Sequence, residues 1–353
     1  MRRLLIVLAL VATATLLLRG DVPCSVLPTQ PACYVAYTPG PIADVLGLVD
    51  VDGQRTYDSA GQLLLTTVLV DPTITPLEFW RYSFDATVDL VDRDLVFPPN
   101  VSTDQYNAYN AALMDESQLS ATVAGLRYSG LDVDLDYDGA KVVEVVEDGP
   151  SADLLEPDDL LVAVGGTTVR TAADVIDVLG GYAPGDTVAL TLEGPGGDDR
   201  EVDVTTGDNP DAPGRPFLGV ILVSHIELPF EVAIDAGRIG GSSAGLMFAL
   251  AIVDRLGPDD LTDGRIIAGT GEIDAEGIVG PIGGIRQKVA AASRGDTPAE
   301  VFLVPQANFA EARTASAGGP ILLVPVSDLG DAVEALRVLA DGGEPEGAVL
   351  LGG

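Results

Sequence analysis

The chain has 353 residues, of which 47% are hydrophobic, and this is enough to bury the cores of two or three domains rather than remain disordered. Acidic residues outnumber basic ones by 54 to 19, and the resulting formal net charge of −35 argues against binding nucleic acid or anionic lipid through charge. Two cysteines and one histidine are too few for a Cys/His zinc site, and we predict neither a metal nor a cofactor.

The N-terminus carries an uncharged apolar run at residues 4–18, preceded by Arg2 and Arg3. At about 1.5 Å per residue, a helix of this length falls somewhat short of a bilayer core, which fits a signal peptide or a short signal anchor within residues 1–20. We find no A-x-A cleavage site after the run and favour the anchor. Positive charge before the run then predicts a single-pass protein of the cell membrane whose remaining chain is extracytoplasmic.

Cys24 and Cys33 follow this run, nine positions apart. In an oxidising compartment they can close a small disulfide loop. Two free thiols are the alternative.

Residues 21–120 predict a β-rich N-terminal region. The segment LLLTTVLV at 63–70 is rich in β-formers and predicts a buried strand. Residues 101–116, rich in Asn, Ala and Tyr, fit either a helix or a surface insertion. We assign no chemistry to this region.

Residues 121–207 have the pattern of a separate small module. Residues 141–146 and 158–164 predict strands, and residues 171–179 predict an amphipathic helix with Thr171 as its N-cap. This order, with the segment GPSADLLEPDDLLVAVGGTTV at its centre, resembles the PDZ domains attached to bacterial proteases.

PDZ domains bind extended peptides, often C-termini, by adding them as a strand beside a groove helix. The resemblance therefore implies a groove between the strand at 141–146 and the helix at 171–179. The residues expected beside the peptide are Lys141, Val142, Val143 and Val175. Lys141 would meet a peptide carboxylate, although we favour a solvated strand residue at this position.

The segment GGSSAGLMFAL at 240–250 is the first that carries chemistry. Residues 230–234 predict a strand and residues 244–256 a helix, so Ser243 lies at a strand-loop-helix junction. The free N–H groups and positive dipole end of the first helical turn can stabilise an oxyanion. The donors expected are the backbone N–H groups of Gly241, Ser242 and Ala244. The alternative is that one of the two serines only caps the helix.

The same segment contains G-x-S-x-G at 241–245, the pattern of the α/β-hydrolase nucleophile elbow. That fold requires a histidine after the serine, whereas the only histidine, His225, precedes Ser243. A conventional triad is therefore excluded, and a nucleophilic Ser243 needs another base.

Lys288 supplies a candidate base. It falls in the first turns of a predicted helix whose apolar face is marked by Ile285, Val289 and Ala292, and it lies at the edge of that face. A partly buried lysine loses its charge readily, and a neutral amine can take a proton from a serine. Only two of the 19 basic residues are lysines, which favours a specific role for Lys288 over chance retention.

Together the two segments resemble the proteolytic domain of Lon proteases, over residues 216–345. Ser243 stands at the position of the family's nucleophile, and Lys288 at the lysine of its TGEI…PIGG-[IL]-x-x-K motif, 45 residues later. Thr270 matches the family threonine that contacts this lysine. The order of anchor, PDZ module and Lon-like domain resembles the YlbL-like PDZ/Lon-type serine proteases.

This sequence departs from the family pattern in two respects. Position 242 is Ser where many relatives have Pro, which leaves two adjacent serines, and we assign the nucleophile to Ser243. No G-x-x-x-x-G-K-[ST] motif occurs, so the sequence contains no P-loop ATPase and should not unfold stable substrates by itself.

The sequence thus predicts a multi-domain α/β protein that is an ATP-independent Ser-Lys endopeptidase acting on exported or membrane-associated proteins, with a PDZ module for substrate capture or gating. Two alternatives remain open: a catalytically silent PDZ-bearing adaptor at the membrane, and a Ser-Lys amidase acting on cell-wall peptides. The expected partners are protein or peptide substrates and the membrane, without nucleic acid. The Lon resemblance also implies a homo-oligomer, in the form of a hexamer.

Overall fold

The computed structural model describes residues 24, 30–97, 103–131, 133, 137–193, 199–210, 212–226, 232–237, 239–295 and 297–352. The apolar run predicted as a membrane anchor lies outside these residues. Among the helices that the structure describes, none is long and apolar enough to cross a membrane.

The strands and helices are numbered in chain order. The strands are β1 (Tyr34–Asp44), β2 (Val49–Val51), β3 (Gln62–Asp71), β4 (Asp89–Asp92), β5 (Tyr137–Val145), β6 (Leu160–Val164), β7 (Thr167–Thr168), β8 (Thr187–Glu193), β9 (Asp199–Thr205), β10 (Gly207–Asp208), β11 (Pro216–Phe217), β12 (Val220–Ile226), β13 (Val232–Ile234), β14 (Ile266–Gly269), β15 (Glu272–Ile273), β16 (Val279–Gly280), β17 (Val301–Pro305), β18 (Ile321–Val326) and β19 (Val349–Leu351). The helices are α1 (Pro76–Tyr82), α2 (Arg93–Val96), α3 (Thr103–Tyr128), α4 (Ala172–Leu179), α5 (Gly245–Leu256), α6 (Ile285–Ala292), α7 (Phe309–Ala312) and α8 (Leu329–Ala340).

A seven-stranded mixed sheet joins the two ends of the chain in the order β19-β18-β17-β14-β3-β1-β4. The strands from β3 to β18 in this order run parallel, and antiparallel strands flank them on both sides. Leu63, Leu64 and Leu65 of β3 are all buried, as expected for a strand covered on both faces. The predicted β-rich region is therefore not a separate unit, because β1, β3 and β4 complete the sheet of the Lon-like domain.

Helix α3 corrects two of the predicted boundaries. It spans 26 residues, so residues 103–116 form a helix rather than a surface insertion, and residues 121–128, expected in the PDZ module, belong to it as well. Its buried residues pack against α5 in the largest core. At Gly125 the helices approach so closely that a Cβ atom would lie 2.9 Å from the side chain of Ile252. Because it packs against α5, this segment belongs to the Lon-like domain.

The PDZ module is built on an antiparallel sheet of order β12-β5-β6-β8-β9, with β7 paired to β6. It has its own apolar core, to which Val175 and Leu179 of α4 contribute. The predicted N-cap is confirmed: the Thr171 hydroxyl accepts a bond from the Asp174 N–H at 3.1 Å, and the Asp174 carboxylate accepts one from the Thr171 N–H at 3.0 Å.

The predicted peptide groove is displaced by one strand. β5 is hydrogen bonded to β12 on one side and to β6 on the other, so Lys141, Val142 and Val143 offer no free strand edge to a peptide. The sheet edge beside α4 is β12, whose Ser224 hydroxyl accepts a bond from the Ala172 N–H at 3.2 Å. β12 follows the other PDZ strands in sequence and lies within the residues predicted for the Lon-like domain. The sequence pattern therefore did not predict that β12 forms the edge of the PDZ sheet.

The individual groove residues fit this correction. Val142 and Val175 are buried, and Val175 lies in the PDZ core rather than on an open groove wall. The Nζ atom of Lys141 lies 2.7 Å from a carboxylate oxygen of Asp158 at the surface. This pairing fits the solvated strand residue favoured for Lys141.

Cys24 and Cys33 form the predicted disulfide, with their Cα atoms 5.6 Å apart. The bond ties Cys24, six positions after the end of the apolar run, to Cys33, the residue before β1.

Candidate active site

Ser243 lies immediately before α5, whose N-cap is Ala244. Buried contacts hold this junction in place, because the Gly271 N–H donates to the Ser243 carbonyl at 2.9 Å and the Leu246 N–H donates to the Gly271 carbonyl at 3.1 Å. Gly245 is required here, since a Cβ atom would lie 2.8 Å from the Ile273 side chain. The helix, the turn at residue 271 and β15 therefore fix the serine backbone together.

Lys288 is positioned by the start of α6. Gly284, the N-cap, has a φ of 68°, and a Cβ atom there would lie 2.5 Å from the side chain of Val68. The Lys288 N–H donates to the Gly284 carbonyl at 3.1 Å, so the lysine follows directly from this turn. The predicted apolar face of α6 is buried and packs against β1 and β3. Strands of the N-terminal region thus support the lysine.

The three residues expected in catalysis meet at one point. The Nζ atom of Lys288 lies 2.6 Å from the Ser243 Oγ atom and 2.9 Å from the Thr270 Oγ1 atom. The Thr270 hydroxyl donates its single proton to the Ser243 carbonyl at 2.9 Å, so its oxygen faces the lysine as an acceptor. One N–H of the amine therefore bonds to Thr270, and the nitrogen atom lies beside the Ser243 hydroxyl.

Burial sets the charge of this lysine. Lys288 is 3% exposed, and burial lowers its pKa from 10.5 to about 7 because the ammonium loses its hydration. The carboxylate of Glu272 acts in the opposite direction, since a nearby negative charge favours the ammonium and raises the pKa. The neutral amine is therefore well populated at neutral pH.

The neighbouring serine has different partners. The Ser242 hydroxyl donates to the Glu272 carboxylate, and the Ser242 carbonyl accepts a bond from the Ser117 hydroxyl of α3 at 2.9 Å. Neither serine caps α5, because the N-cap residue is Ala244. Of the two serines, Ser243 is the one in contact with the lysine.

Of the three predicted oxyanion donors, one is already engaged, and the Ser243 N–H, which was not predicted, joins the other two. The Gly241 N–H already donates to the Asn110 carbonyl of α3 at 2.9 Å, so it is not available to a substrate in this conformation. Among the residues that the structure describes, none accepts a bond from the N–H groups of Ser242, Ser243 or Ala244. These three remain as donors for a developing oxyanion.

A cavity of about 190 Å³ opens onto Ser243 and Lys288. Most of its walls are apolar, and several of its lining residues come from β1, β3 and α3. The cavity residues from these elements are Tyr37, Leu65, Thr66, Thr67, Val68, Val70 and Met114. Sequence analysis missed them because no motif marks strand and helix residues that reach a site more than a hundred residues away. Such a cavity can hold an apolar side chain beside the nucleophile.

His225 does not belong to this site. It lies on β12, with its Nδ1 atom 2.7 Å from a carboxylate oxygen of Asp138. This position agrees with the expectation from chain order that Ser243 is not part of a Ser-His-Asp triad.

Comparison with known families assigns two parts of the chain. A PDZ domain model matches residues 128–206, and a model of the Lon protease (S16) C-terminal proteolytic domain matches residues 224–319. The chain therefore combines a PDZ domain with a Lon-type proteolytic domain, and the predicted resemblance to PDZ/Lon-type proteases is confirmed.

Two curated relatives are similar over part of this chain. Lon protease 1 of Herpetosiphon aurantiacus is 40% identical over 87 residues, which are 25% of this chain and 10% of the relative. The Lon protease of Roseiflexus castenholzii is 32% identical over 168 residues, which are 46% of this chain and 20% of the relative. The chain thus spans a tenth to a fifth of the length of these relatives.

Solved structures of single PDZ domains are also similar. The PDZ domain of the SdrC-like protein from Listeria monocytogenes is 29% identical, with 26% of this chain and 94% of that chain covered and a TM-score of 0.23. The corresponding domain from Listeria innocua is 27% identical, with 26% and 97% covered and a TM-score of 0.22.

Proposed function

We propose that this protein is a serine endopeptidase in which Ser243 is the nucleophile and Lys288 is the general base. The observation that carries the proposal is the 2.6 Å contact between the Ser243 hydroxyl and a buried amine. A base is most effective when its pKa lies near the working pH, and burial brings the pKa of Lys288 to about 7. The match of the Lon proteolytic domain model over this segment supports the same chemistry.

The geometry suggests the following reaction. The neutral Lys288 amine accepts the Ser243 hydroxyl proton as the Ser243 oxygen attacks the peptide carbonyl carbon. The N–H groups of Ser242, Ser243 and Ala244 stabilise the oxyanion. Lys288 then gives the proton to the departing amine, which leaves an acyl ester on Ser243. In the second half, Lys288 takes a proton from water, the resulting hydroxide attacks the ester, and the proton returns to Ser243.

Thr270 is assigned a positioning role in this reaction. Its oxygen accepts one proton of the lysine amine, while its own proton is held by the Ser243 carbonyl. With one N–H bonded to Thr270, the amine lone pair can be oriented toward the Ser243 hydroxyl.

We also propose that hydrolysis requires no ATP, because the sequence contains no P-loop motif. The substrates are then unfolded segments or short peptides. The PDZ domain would capture such segments as an added strand beside β12, the sheet edge that faces α4. The apolar run at residues 4–18 would hold the protein at the membrane, with exported or membrane-associated proteins as substrates.

Hydrolysis of casein and of fluorogenic peptides by the purified full chain, without ATP, tests this proposal. Activity that is lost in both Ser243→Ala and Lys288→Ala is expected. Hydrolysis that persists in Ser243→Ala would exclude the mechanism. Peptide binding without hydrolysis in the wild type would favour the adaptor, and cleavage confined to cell-wall peptides would favour the amidase.

A further inference from the structure

Three large apolar side chains lie exposed on, or just after, the short helix that packs against the start of β1. Leu77 and Trp80 lie on α1 and Phe84 lies two residues after it, at the spacing i, i+3 and i+7, and we call these three the outer patch. Their exposed fractions are 74%, 64% and 76%. The rings of Trp80 and Phe84 are in contact, with centroids 5.4 Å apart. Clustered exposure of this kind marks an interaction surface more often than an ordinary soluble face.

The outer patch lies where the chain enters the fold. Phe79, on the opposite face of α1, packs against Tyr34 at the start of β1, with ring centroids 5.5 Å apart. α2 contacts the short helical turn Pro31–Cys33. The disulfide then places Cys24 beside Cys33, at a Cα–Cα distance of 5.6 Å.

In sequence, the apolar run at residues 4–18 ends six positions before Cys24. Six peptide steps separate Leu18 from Cys24, and a fully extended chain covers at most about 3.6 Å per step, or roughly 20 Å. If residues 4–18 insert into a bilayer, the outer patch therefore lies within a short distance of the bilayer surface.

The charged side chains next to the outer patch favour neither an anionic nor a cationic partner. The carboxylates next to these residues in sequence are engaged within the protein: Glu78 accepts the Thr75 N–H at 2.9 Å, and Asp85 accepts the Thr87 N–H at 2.9 Å. Arg81 lies over its own neighbour Tyr82, with its guanidinium carbon 5.3 Å from the ring centroid. What the surface offers is aromatic and aliphatic, with tryptophan at its centre, a composition typical of residues at the membrane–water interface.

We propose that the outer patch docks on the surface of the bilayer into which residues 4–18 insert, with Trp80 and Phe84 at the level of the lipid headgroups. The proposal rests on the membrane attachment proposed above and is independent of the proteolytic mechanism. Docking would hold the domain that carries α1 at a fixed orientation to the membrane. Because apolar burial drives it, docking should be insensitive to salt.

The chain provides its own probe, since Trp80 is its one tryptophan. The full-length protein would be reconstituted into phosphatidylcholine vesicles, and its Trp80 fluorescence compared with and without lipids brominated near the headgroup. We expect an emission shift to shorter wavelength and roughly twofold or stronger quenching by the brominated lipid, unchanged by added salt. The matched control is Trp80→Phe combined with Leu350→Trp, which moves the probe to an exposed position, 61% exposed, on β19 at the opposite edge of the sheet. This control should not be quenched.

Flotation of the same vesicles separates docking from attachment. A protein that floats with the vesicles while Trp80 stays unquenched would overturn docking and leave attachment intact. A protein that does not float would overturn both. A shift that depends on protein concentration, without quenching by brominated lipid, would assign the outer patch to contact between two copies of this chain and would likewise overturn docking.

Discussion

The Nζ atom of Lys288 lies 2.6 Å from the Oγ atom of Ser243, although the two residues are 45 positions apart, with Ser243 just before α5 and Lys288 on α6. The distance is short because α5 and α6 both begin at tight turns, at Ala244 and at Gly284, that face the same cavity. The first prediction concerns the serine of this pair.

Replacing Ser243 by Ala should lower kcat/KM for peptide hydrolysis by roughly a thousandfold or more, because no other hydroxyl of the loop lies beside the lysine. Ser242→Ala is the matched control. Its hydroxyl contacts Glu272 instead, so this variant should keep activity within about tenfold of the wild type. Steady-state kinetics on one fluorogenic peptide compares the two, and a larger loss in Ser242→Ala would reassign the nucleophile.

The second prediction concerns pH. In the proposed mechanism the active form requires neutral Lys288, and because its pKa is lowered to about 7, kcat/KM should rise as pH increases through about 7 and then level off. Lys288→Arg should be inactive throughout, since a guanidinium stays charged. A pH–rate profile of the wild type with an inflection near 10 would show that burial does not lower the pKa in solution.

A third prediction isolates Glu272. Its carboxylate favours the charged lysine, so Glu272→Gln should lower the pKa of Lys288 and move the inflection of the pH–rate profile to lower pH. Glu276→Gln, an exposed residue that pairs with Arg127 at 3.8 Å, provides the control and should leave the inflection in place. If the inflection in Glu272→Gln does not move, or moves to higher pH, Glu272 does not raise the pKa of Lys288.

The buried lysine should also carry a stability cost that depends on pH. Below about pH 7 the lysine is protonated in both states, and the folded state holds a poorly hydrated ammonium, so the full cost is present. Between about 7 and 10.5 the folded lysine is neutral while the unfolded one is still charged, so the cost falls as pH rises. Lys288→Met should therefore raise Tm most at pH 6 to 7 and progressively less toward pH 10.

The other lysine of the chain supplies the control for this measurement. Lys141 is exposed and paired with Asp158, so Lys141→Met should change Tm little and without this pH trend. Thermal unfolding of both variants across the pH range makes the comparison. An equal gain in Lys288→Met at all pH values would attribute its effect to packing alone.

A fifth prediction tests whether the hydrogen bond from α3 to the Ser242 carbonyl holds the oxyanion donors in position. Ser117→Ala removes the bond to the Ser242 carbonyl, which should loosen the oxyanion donors and lower kcat by roughly tenfold without moving the pH inflection. Ser129→Ala removes a comparable bond, to the Gly125 carbonyl at 2.8 Å, at the far end of the same helix. Equal losses in the two variants would indicate a general effect on the helix.

The residues that meet at the candidate site could be named from the sequence. Ser243 and Lys288 lie in local patterns of glycines, helix starts and apolar faces, which depend on neighbours within a few positions, whereas Thr270 was predicted only from the resemblance to Lon proteases. The N-cap at Thr171 also follows from a local pattern, whereas the disulfide between Cys24 and Cys33 was one of two alternatives.

Which distant segments meet could not be predicted from the sequence. Strand order placed β12 rather than β5 at the open edge of the PDZ sheet, and put β1 and β3 under the lysine helix. The partner of the Gly241 N–H on α3 follows from helix packing over more than a hundred residues of separation. Pairing and packing of this kind depend on which apolar faces can be buried against each other, and a residue's own sequence neighbours carry no information about that choice.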